Sequence, residues 1–189
     1  MGFSVRTVSR EFSPAEAAAI TGVSTALQRD WRRRKIVQGE PNSEGKWTRW
    51  SLTDIISLSV MKLFSDAGME VSSTTTIAGM ALMPTMSALA LIDEAVEFDG
   101  DDIGETEKER VRSATVRTTH PSHTAGRFLA SFGRGEYDVC RTDDLATLEA
   151  RLDEEVRPIV AVVDCYNLAR LIVEKAGGPV IRYEVKADK

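Results

Sequence analysis

The pattern of apolar and polar residues first predicts a short helix over residues 14 to 20. Ser13 and Glu16 have the spacing of a capping box, and Pro14 occupies the first helical position, where its fixed φ is favourable. Gly22 follows as a residue suited to a tight turn. We therefore expect the chain to turn at this glycine and bring the next helix across the first.

A second helix is predicted to begin after Ser24, which serves as its N-cap. Leu27 and Trp31 lie four residues apart and share one face of this helix, which we assign to the core. Five of the seven residues from Arg29 to Lys35 are cationic. Because Arg29, Arg32 and Arg33 fall on other faces, the basic stripe is separate from the apolar one.

The next residues predict a hairpin and a third helix. Turn-forming residues fill positions 38–45 between the β-prone segments 36–37 and 46–50. Ser51 opens the third helix and Gly68 ends it. A helix followed by a turn, a basic helix and a hairpin is the order expected of a winged helix-turn-helix.

Beyond residue 70 the pattern predicts more helix and then an acidic connection. A short helix is expected around residues 77–83, and Pro84 is expected to begin another, whose stripe includes Leu89, Ile92 and Val96. Residues 93–109 contain nine acidic residues and one lysine, which is typical of a solvated linker.

The C-terminal part shows short alternating segments mixed with helical ones. Ile159 to Val163 fits a buried strand, or the start of a helix that continues to Val173; we favour the helix. The other predicted elements are two or three strands within the segments 110–119, 127–132 and 136–140, a helix at 142–152, and a strand or tail at 180–185.

These elements predict an α+β protein: an N-terminal winged helix-turn-helix and a small C-terminal α+β region with a β-hairpin and two helices. The predicted divisions are a DNA-binding domain at 1–80, a connecting helix at 81–97, an acidic linker at 98–109, and a dimerisation or sensing region at 110–189.

Composition points to a cytoplasmic protein. The sequence has no run of about 18 apolar residues that would suggest a membrane span, and residues 1–11 lack the apolar centre of a signal peptide. Cys140 and Cys165 are far apart, which favours two reduced, buried thiols over a disulfide or zinc site. We expect no membrane partner.

The distribution of charge changes the meaning of the overall −5. Residues 1–70 contain 10 basic and 8 acidic residues, and residues 29–49 contain seven basic and three acidic ones. Positive charge is therefore concentrated where the second helix and the hairpin are predicted. Such a local basic surface suits an anionic polymer even in an acidic protein.

Residues 12–80 resemble the DNA-binding domain of the MerR family of bacterial transcription regulators. The features that carry the resemblance are Thr21 to Ser24 at the turn, Arg29 to Trp31 on the second helix, Lys35 to Val37 at its exit, Gly45 to Trp50 in the hairpin, Asp54-Ile55 in the third helix and Ala67 to Met69 at its end. The resemblance implies a winged helix-turn-helix whose second helix enters the major groove of double-stranded DNA, in a homodimer on a pseudo-palindromic site.

Three departures from the family's pattern lie close together. Trp31 replaces an aromatic residue that is usually tyrosine, Asp30 stands where an aromatic residue is usual, and Lys35 takes the place of a glycine. The family's long dimerisation helix has no clear counterpart after residue 80, and its metal-binding cysteines have none. The resemblance therefore implies neither metal sensing nor activation by DNA distortion here.

The predicted DNA contacts fall into three chemical groups. Arg29, near the start of its helix, is expected to reach a guanine edge, with further polar contacts from Ser24, Thr25 and Gln28. The cations expected at phosphates are Arg32, Arg33, Lys46 and Arg49. Trp50 is expected on the DNA backbone, where the family has the second residue of an Arg-Tyr pair.

Other candidate sites are weaker. His120 and His123 have metal-ligand spacing but no acidic or cysteine companion nearby, so we predict no metal site. No nucleophile with a base, glycine-rich phosphate loop or carboxylate pair is evident, and we expect neither an enzyme nor a cofactor.

Two functions remain open for the predicted DNA-binding domain. The first is a sequence-specific, MerR-like transcriptional regulator that is a homodimer and contacts RNA polymerase or another protein through its C-terminal region. The alternative is a phage or mobile-element component, such as a terminase small subunit or an excisionase, because these proteins use the same winged-helix scaffold. A third, weaker interpretation is a protein-interaction module that has lost DNA binding.

Overall fold

The computed structural model describes residues 3–38, 40–41, 48–119, 126–131, 139–142, 144–155 and 161–187. The chain is an α+β protein, as predicted. Its N-terminal elements are β1 (Phe3–Ser9), α1 (Pro14–Thr21), α2 (Thr25–Arg33), β2 (Glu40–Pro41), β3 (Thr48–Arg49), α3 (Leu52–Asp66) and α4 (Thr75–Leu91). They are followed by β4 (Val96–Gly100), α5 (Glu105–Thr119), β5 (Phe128–Ser131), β6 (Val139–Thr142), α6 (Leu145–Glu155), β7 (Ala161–Asp164), α7 (Cys165–Ala176) and β8 (Ile181–Ala187).

The predicted caps of the first three helices are confirmed. The Ser13 hydroxyl accepts from the Glu16 amide at 3.3 Å, and the Glu16 carboxylate accepts from the Ser13 amide at 2.8 Å. These bonds to Ser13, with a further one from Arg10, hold the pKa of Glu16 at about 2. Ser51 and Asp54 repeat the same arrangement at the start of α3. Each cap satisfies amide groups that a helix start leaves without intrahelical partners.

Three segments far apart in the sequence form one sheet, in the order β1-β8-β4. β8 is antiparallel to β1 and parallel to β4, so the last strand of the chain is central. The segment predicted as a strand or tail at 180–185 is therefore a strand, whereas β1 was not predicted. A second sheet has the order β6-β5-β7, and its β5–β6 pair confirms the predicted C-terminal hairpin strands.

The acidic segment is ordered structure, so the prediction of a linker at 98–109 is wrong. Its beginning is the end of β4, and its second half is the start of α5. The predicted strand at 110–119 is also wrong, because those residues continue α5. Lys108 forms a salt bridge with Glu105 at 2.7 Å, and Arg110 forms one with Glu107 at 3.7 Å. Residues three positions apart are neighbours on the surface of a helix, so these pairs stabilise α5.

Two further boundaries differ from the sequence predictions. Pro84 lies inside the continuous helix α4 instead of beginning a new one. Residues 161–164 are strand β7, and the helix predicted to include them begins only at Cys165, with Asp164 as its N-cap. Cys165 is buried, as expected, whereas the side chain of Cys140 lies outside the described part.

α4 lies at the centre of the packing, against α3, α5 and α7. Together with the preceding 3-10 turn it forms a 21-residue helical stretch, Val71–Leu91, which contains an 18-residue window of mean hydropathy 1.3. This stretch is long and apolar enough to span a membrane, which corrects the expectation that none exists. In the folded protein, 56% of that 18-residue window is buried. Among the described residues, one cluster of buried apolar side chains includes Trp31, Leu89 and Tyr183, so it joins N-terminal and C-terminal elements.

Candidate nucleic-acid interface

Helix α2 separates a buried face from a basic one. Trp31 is buried, as predicted, and Leu27 packs against the same core. Arg29, Arg32 and Arg33 are exposed on the outside of the helix. Because the apolar side chains hold one face of α2 against the core, the arginines are presented to solvent as a group.

The exposed cations surround a shallow depression at the end of α2. It has a volume of about 680 Å³, and its lining residues are Arg29, Arg32, Arg33, Lys35, Val37 and Gln38. Four of these six side chains are cationic at neutral pH. A concave basic surface of this kind attracts an anion such as a phosphate group.

Asp30 partly offsets this positive charge. One of its oxygens lies 2.5 Å from Arg33 Nη2, and the other lies 3.8 Å from Arg34 Nη1. Both pairs are largely solvent-exposed, so their contribution to stability is small. Arg29 is exposed, and within the described residues it forms no salt bridge.

Two of the predicted DNA contacts are buried, and the prediction that they face DNA is corrected. Gln28 is 2% exposed and Trp50 is 1% exposed. Trp50 Nε1 donates to Gln28 Oε1 at 2.9 Å, and Gln28 Nε2 donates to the carbonyl oxygens of Pro14 and Val23, both at 2.9 Å. The polar groups of these two side chains satisfy one another and the backbone, because unpaired polar groups are costly in a core.

The Gln28–Trp50 pair also fixes the hairpin relative to the helices. β2 and β3 pair in antiparallel register, so two short paired strands are present. The second strand lies within the predicted segment 46–50, but the first lies at Glu40–Pro41, within the predicted turn residues, and not at 36–37. Directly after β3, Trp50 and Phe12 exchange two backbone hydrogen bonds of 2.8 and 2.9 Å. The indole of Trp50 donates to Gln28 on α2, and Gln28 donates in turn to Pro14 at the start of α1. Gln28 therefore connects the end of the hairpin to both α1 and α2.

The remaining predicted contacts are distributed around this frame. Ser24 is exposed, and its hydroxyl accepts from the Leu27 amide at 3.2 Å as the N-cap of α2. Thr25 and Arg49 are exposed, on α2 and β3 respectively. Lys46 lies outside the described residues, as do His120 and His123. In the described part, no group of three or more histidine, cysteine or acidic side chains is placed to hold a metal ion.

Lys35 is a member of this surface that the sequence-based selection missed. Its φ is +58°, and it is the one non-glycine residue with positive φ among the described residues. Its amide donates to the Arg32 carbonyl and the Ile36 amide donates to the Trp31 carbonyl, both at 2.9 Å. This is the Schellman arrangement that favours glycine. Lysine at this position therefore adds a cation to the depression at a conformational cost.

Replacing Lys35 with glycine should raise the free energy of unfolding by about 0.5 to 1 kcal/mol, because glycine adopts positive φ without a Cβ clash. Lys35→Ala is the matched control, since it removes the same charge and keeps the Cβ atom. Urea unfolding followed by circular dichroism measures both variants. Equal stabilisation by alanine and glycine would show that charge, and not backbone strain, is the cause.

Comparison with known proteins assigns no family to this chain. No model of a protein family matches it, and no curated protein sequence matches it significantly.

Proposed function

We propose that residues 12–80 form a winged helix-turn-helix that binds double-stranded DNA, and that the protein is a sequence-specific transcriptional regulator of MerR-like type. The observation that carries the proposal is the exposed basic face of α2, held by the buried Trp31 and the Gln28–Trp50 pair next to an antiparallel hairpin. This arrangement supports the insertion of α2 into a major groove, with the hairpin along the backbone.

The exposed residues divide the recognition between bases and phosphates. Thr25, at the start of α2, and Arg29, at its middle, are the side chains proposed to reach base edges, and the arginine is proposed to pair with guanine through two hydrogen bonds. Arg32, Arg33, Lys35 and Arg49 are proposed to contact phosphate. Because Gln28 and Trp50 are buried, the proposed recognition of the DNA sequence depends on fewer side chains than the amino-acid sequence alone indicated.

Binding should be strongly salt-dependent, because each cation placed at a phosphate releases counterions. Genomic DNA fragments that co-purify with the protein are first recovered and identified. The affinity for labelled duplexes of these fragments, and for duplexes of the same composition in shuffled order, is then measured by fluorescence anisotropy over a series of salt concentrations. We expect tighter binding to the recovered fragments and a linear fall of log K with log salt. Absence of binding to every duplex at low salt would overturn the proposal.

Arg29→Ala and Arg33→Ala should affect binding differently. Loss of a guanine contact should weaken binding to the recovered sequence by about 1 to 3 kcal/mol, roughly 5- to 150-fold, and reduce its preference over shuffled DNA. Arg33→Ala should weaken binding to all duplexes alike and reduce the salt slope by about one.

Arg6→Ala is the control for both variants, because Arg6 is an exposed arginine of β1 outside the basic depression. It should leave affinity and salt slope unchanged. If it weakened binding as much as Arg33→Ala, net charge rather than the α2 surface would determine affinity.

We also propose that the protein binds as a homodimer on two related half-sites. A two-fold symmetric protein requires a site whose halves are spaced by about one helical turn of DNA. The stoichiometry of the complex, measured by sedimentation on the recovered fragment, tests this. One protomer per duplex at saturation would contradict it.

A further inference from the structure

A separate cleft lies between the end of α3 and the β7–α7 segment. It has a volume of about 450 Å³ and is lined mainly by apolar side chains, among them Leu63, Phe64, Val162, Leu168 and Leu171. Its volume is within the range of small-molecule sites, about 300 to 1,000 Å³. None of these residues belongs to the basic surface of α2.

Three of the apolar side chains around this cleft are unusually accessible. Leu63 is 50% exposed, Val162 41% and Leu171 36%. Single exposed apolar residues are ordinary in proteins, but a contiguous group around one concavity is typical of a binding site. The volume of the cleft and its apolar lining are typical of a small-molecule site, which favours a small molecule as the occupant.

The cleft contains one carboxylate, and its hydrogen-bonding capacity is used. Asp164 accepts from Arg127 Nη2 at 2.7 Å, from the Tyr166 amide at 3.1 Å and from the Asn167 amide at 3.0 Å. The guanidinium of Arg127 offsets the charge of this carboxylate. Among the described residues, the lining therefore offers no unpaired charge to a ligand.

Asn167 supplies the remaining polar group. Its side-chain amide nitrogen donates to Asp164 Oδ2 at 2.9 Å, which fixes the orientation of the amide. The amide oxygen has no partner among the described residues and can accept a hydrogen bond. A complementary ligand consequently needs one donor on an otherwise apolar body.

We propose that this cleft binds a small uncharged molecule that is largely apolar and carries one hydrogen-bond donor, such as an aromatic alcohol. The apolar body packs between Leu63 of α3 and Leu171 of α7, and the donor bonds to Asn167 Oδ1. The site bridges the segment proposed to bind DNA and the C-terminal elements, but the inference does not depend on DNA binding.

The test uses 2-naphthol as the probe, with naphthalene lacking the donor and 2-naphthoate carrying a charge. Titration calorimetry and the thermal midpoint of unfolding are measured on the full chain without DNA. We expect saturable binding and a rise in midpoint with 2-naphthol, weaker binding of naphthalene, and no binding of 2-naphthoate.

Two variants and a matched control locate the site. Leu171→Gln should weaken 2-naphthol binding by about tenfold or more, because it replaces an apolar wall with a polar side chain. Asn167→Leu should remove the preference for 2-naphthol over naphthalene. Leu91→Gln makes the same change as the first variant at a 52% exposed leucine outside the cleft, and should leave binding unchanged.

Several results would overturn the inference. They are absence of saturable binding by 2-naphthol, equal loss of binding in Leu171→Gln and Leu91→Gln, and a preference for 2-naphthol that survives in Asn167→Leu. Concentration-dependent dimerisation that Leu171→Gln abolishes, without probe binding, would show that a second copy covers this cleft instead. Circular dichroism spectra of all variants establish that each is folded.

Discussion

Gly100→Ala should destabilise the protein by about 3 kcal/mol or more, because the position combines unfavourable backbone angles with a direct clash. Gly100 has a φ of +106°, and a Cβ atom there would lie 2.2 Å from the Val185 carbonyl oxygen. The two residues are register partners in the parallel β4–β8 pair, so neither backbone can move without disturbing the sheet. Urea unfolding gives the change in free energy.

Gly79→Ala is the control for this variant. Gly79 lies within α4, has no positive φ, and a Cβ atom there meets nothing within 4 Å. Alanine should therefore stabilise that helix by about 0.5 to 1 kcal/mol. A loss below about 1 kcal/mol in Gly100→Ala would contradict the close approach of β4 and β8.

Gln28→Met should cost about 2 to 3 kcal/mol, because it keeps the length of the side chain but leaves the buried Trp50 N–H without an acceptor. It also removes the two bonds to the Pro14 and Val23 carbonyls. Unfolding free energies of Gln28→Met, Trp50→Phe and the double variant form a cycle that isolates their interaction.

The double variant should be more stable than the sum of the single losses predicts, since an apolar pair leaves no unmatched donor or acceptor between the two positions. Simple additivity would show that the hydrogen bond between Trp50 Nε1 and Gln28 Oε1 contributes nothing. Thr25→Ala controls for changes on α2 as such, because Thr25 is exposed on the same helix and should change stability little.

If the proposed DNA-binding surface is correct, Gln28→Met should also weaken DNA binding without removing a contact. Gln28 and Trp50 act as positioning residues that hold the hairpin beside α2. Anisotropy at a temperature where the variant is folded would then show reduced affinity with an unchanged salt slope. A reduced slope would instead indicate that a phosphate contact was lost.

The errors made from sequence share a physical cause. A glutamine next to several arginines is expected to be exposed. Gln28 is nevertheless buried, where it accepts a hydrogen bond from the indole N–H of Trp50, 22 positions later in the sequence. Proline is favoured at the start of a helix and disfavoured in its interior. Here α4 continues through Pro84, and both Pro84 and its neighbour Thr85 are buried. In both cases long-range packing outweighs a local preference.

The acidic segment shows the same limitation in composition. Nine acidic residues within 93–109 are typical of a solvated linker. The structure places Phe98 against Tyr183, with ring centroids 5.1 Å apart, and β4 beside β8. Alternating apolar residues on a strand can bury one face while the acids remain exposed. The density of acidic residues therefore correctly indicated that their side chains are exposed to solvent. It was wrong as a sign of a linker, because the backbone of this segment forms β4 and the start of α5.

The sequence by itself determined features that depend on residues within about one helical turn of one another. The caps at Ser13, Ser24 and Ser51, the inward position of Trp31 and the exposed basic face of α2 belong to this class. The tertiary structure decided the β1-β8-β4 sheet, the burial of Gln28 and the cleft beside Leu171. These arise where distant segments meet, because their stability comes from paired backbones and shared buried area that no local pattern records.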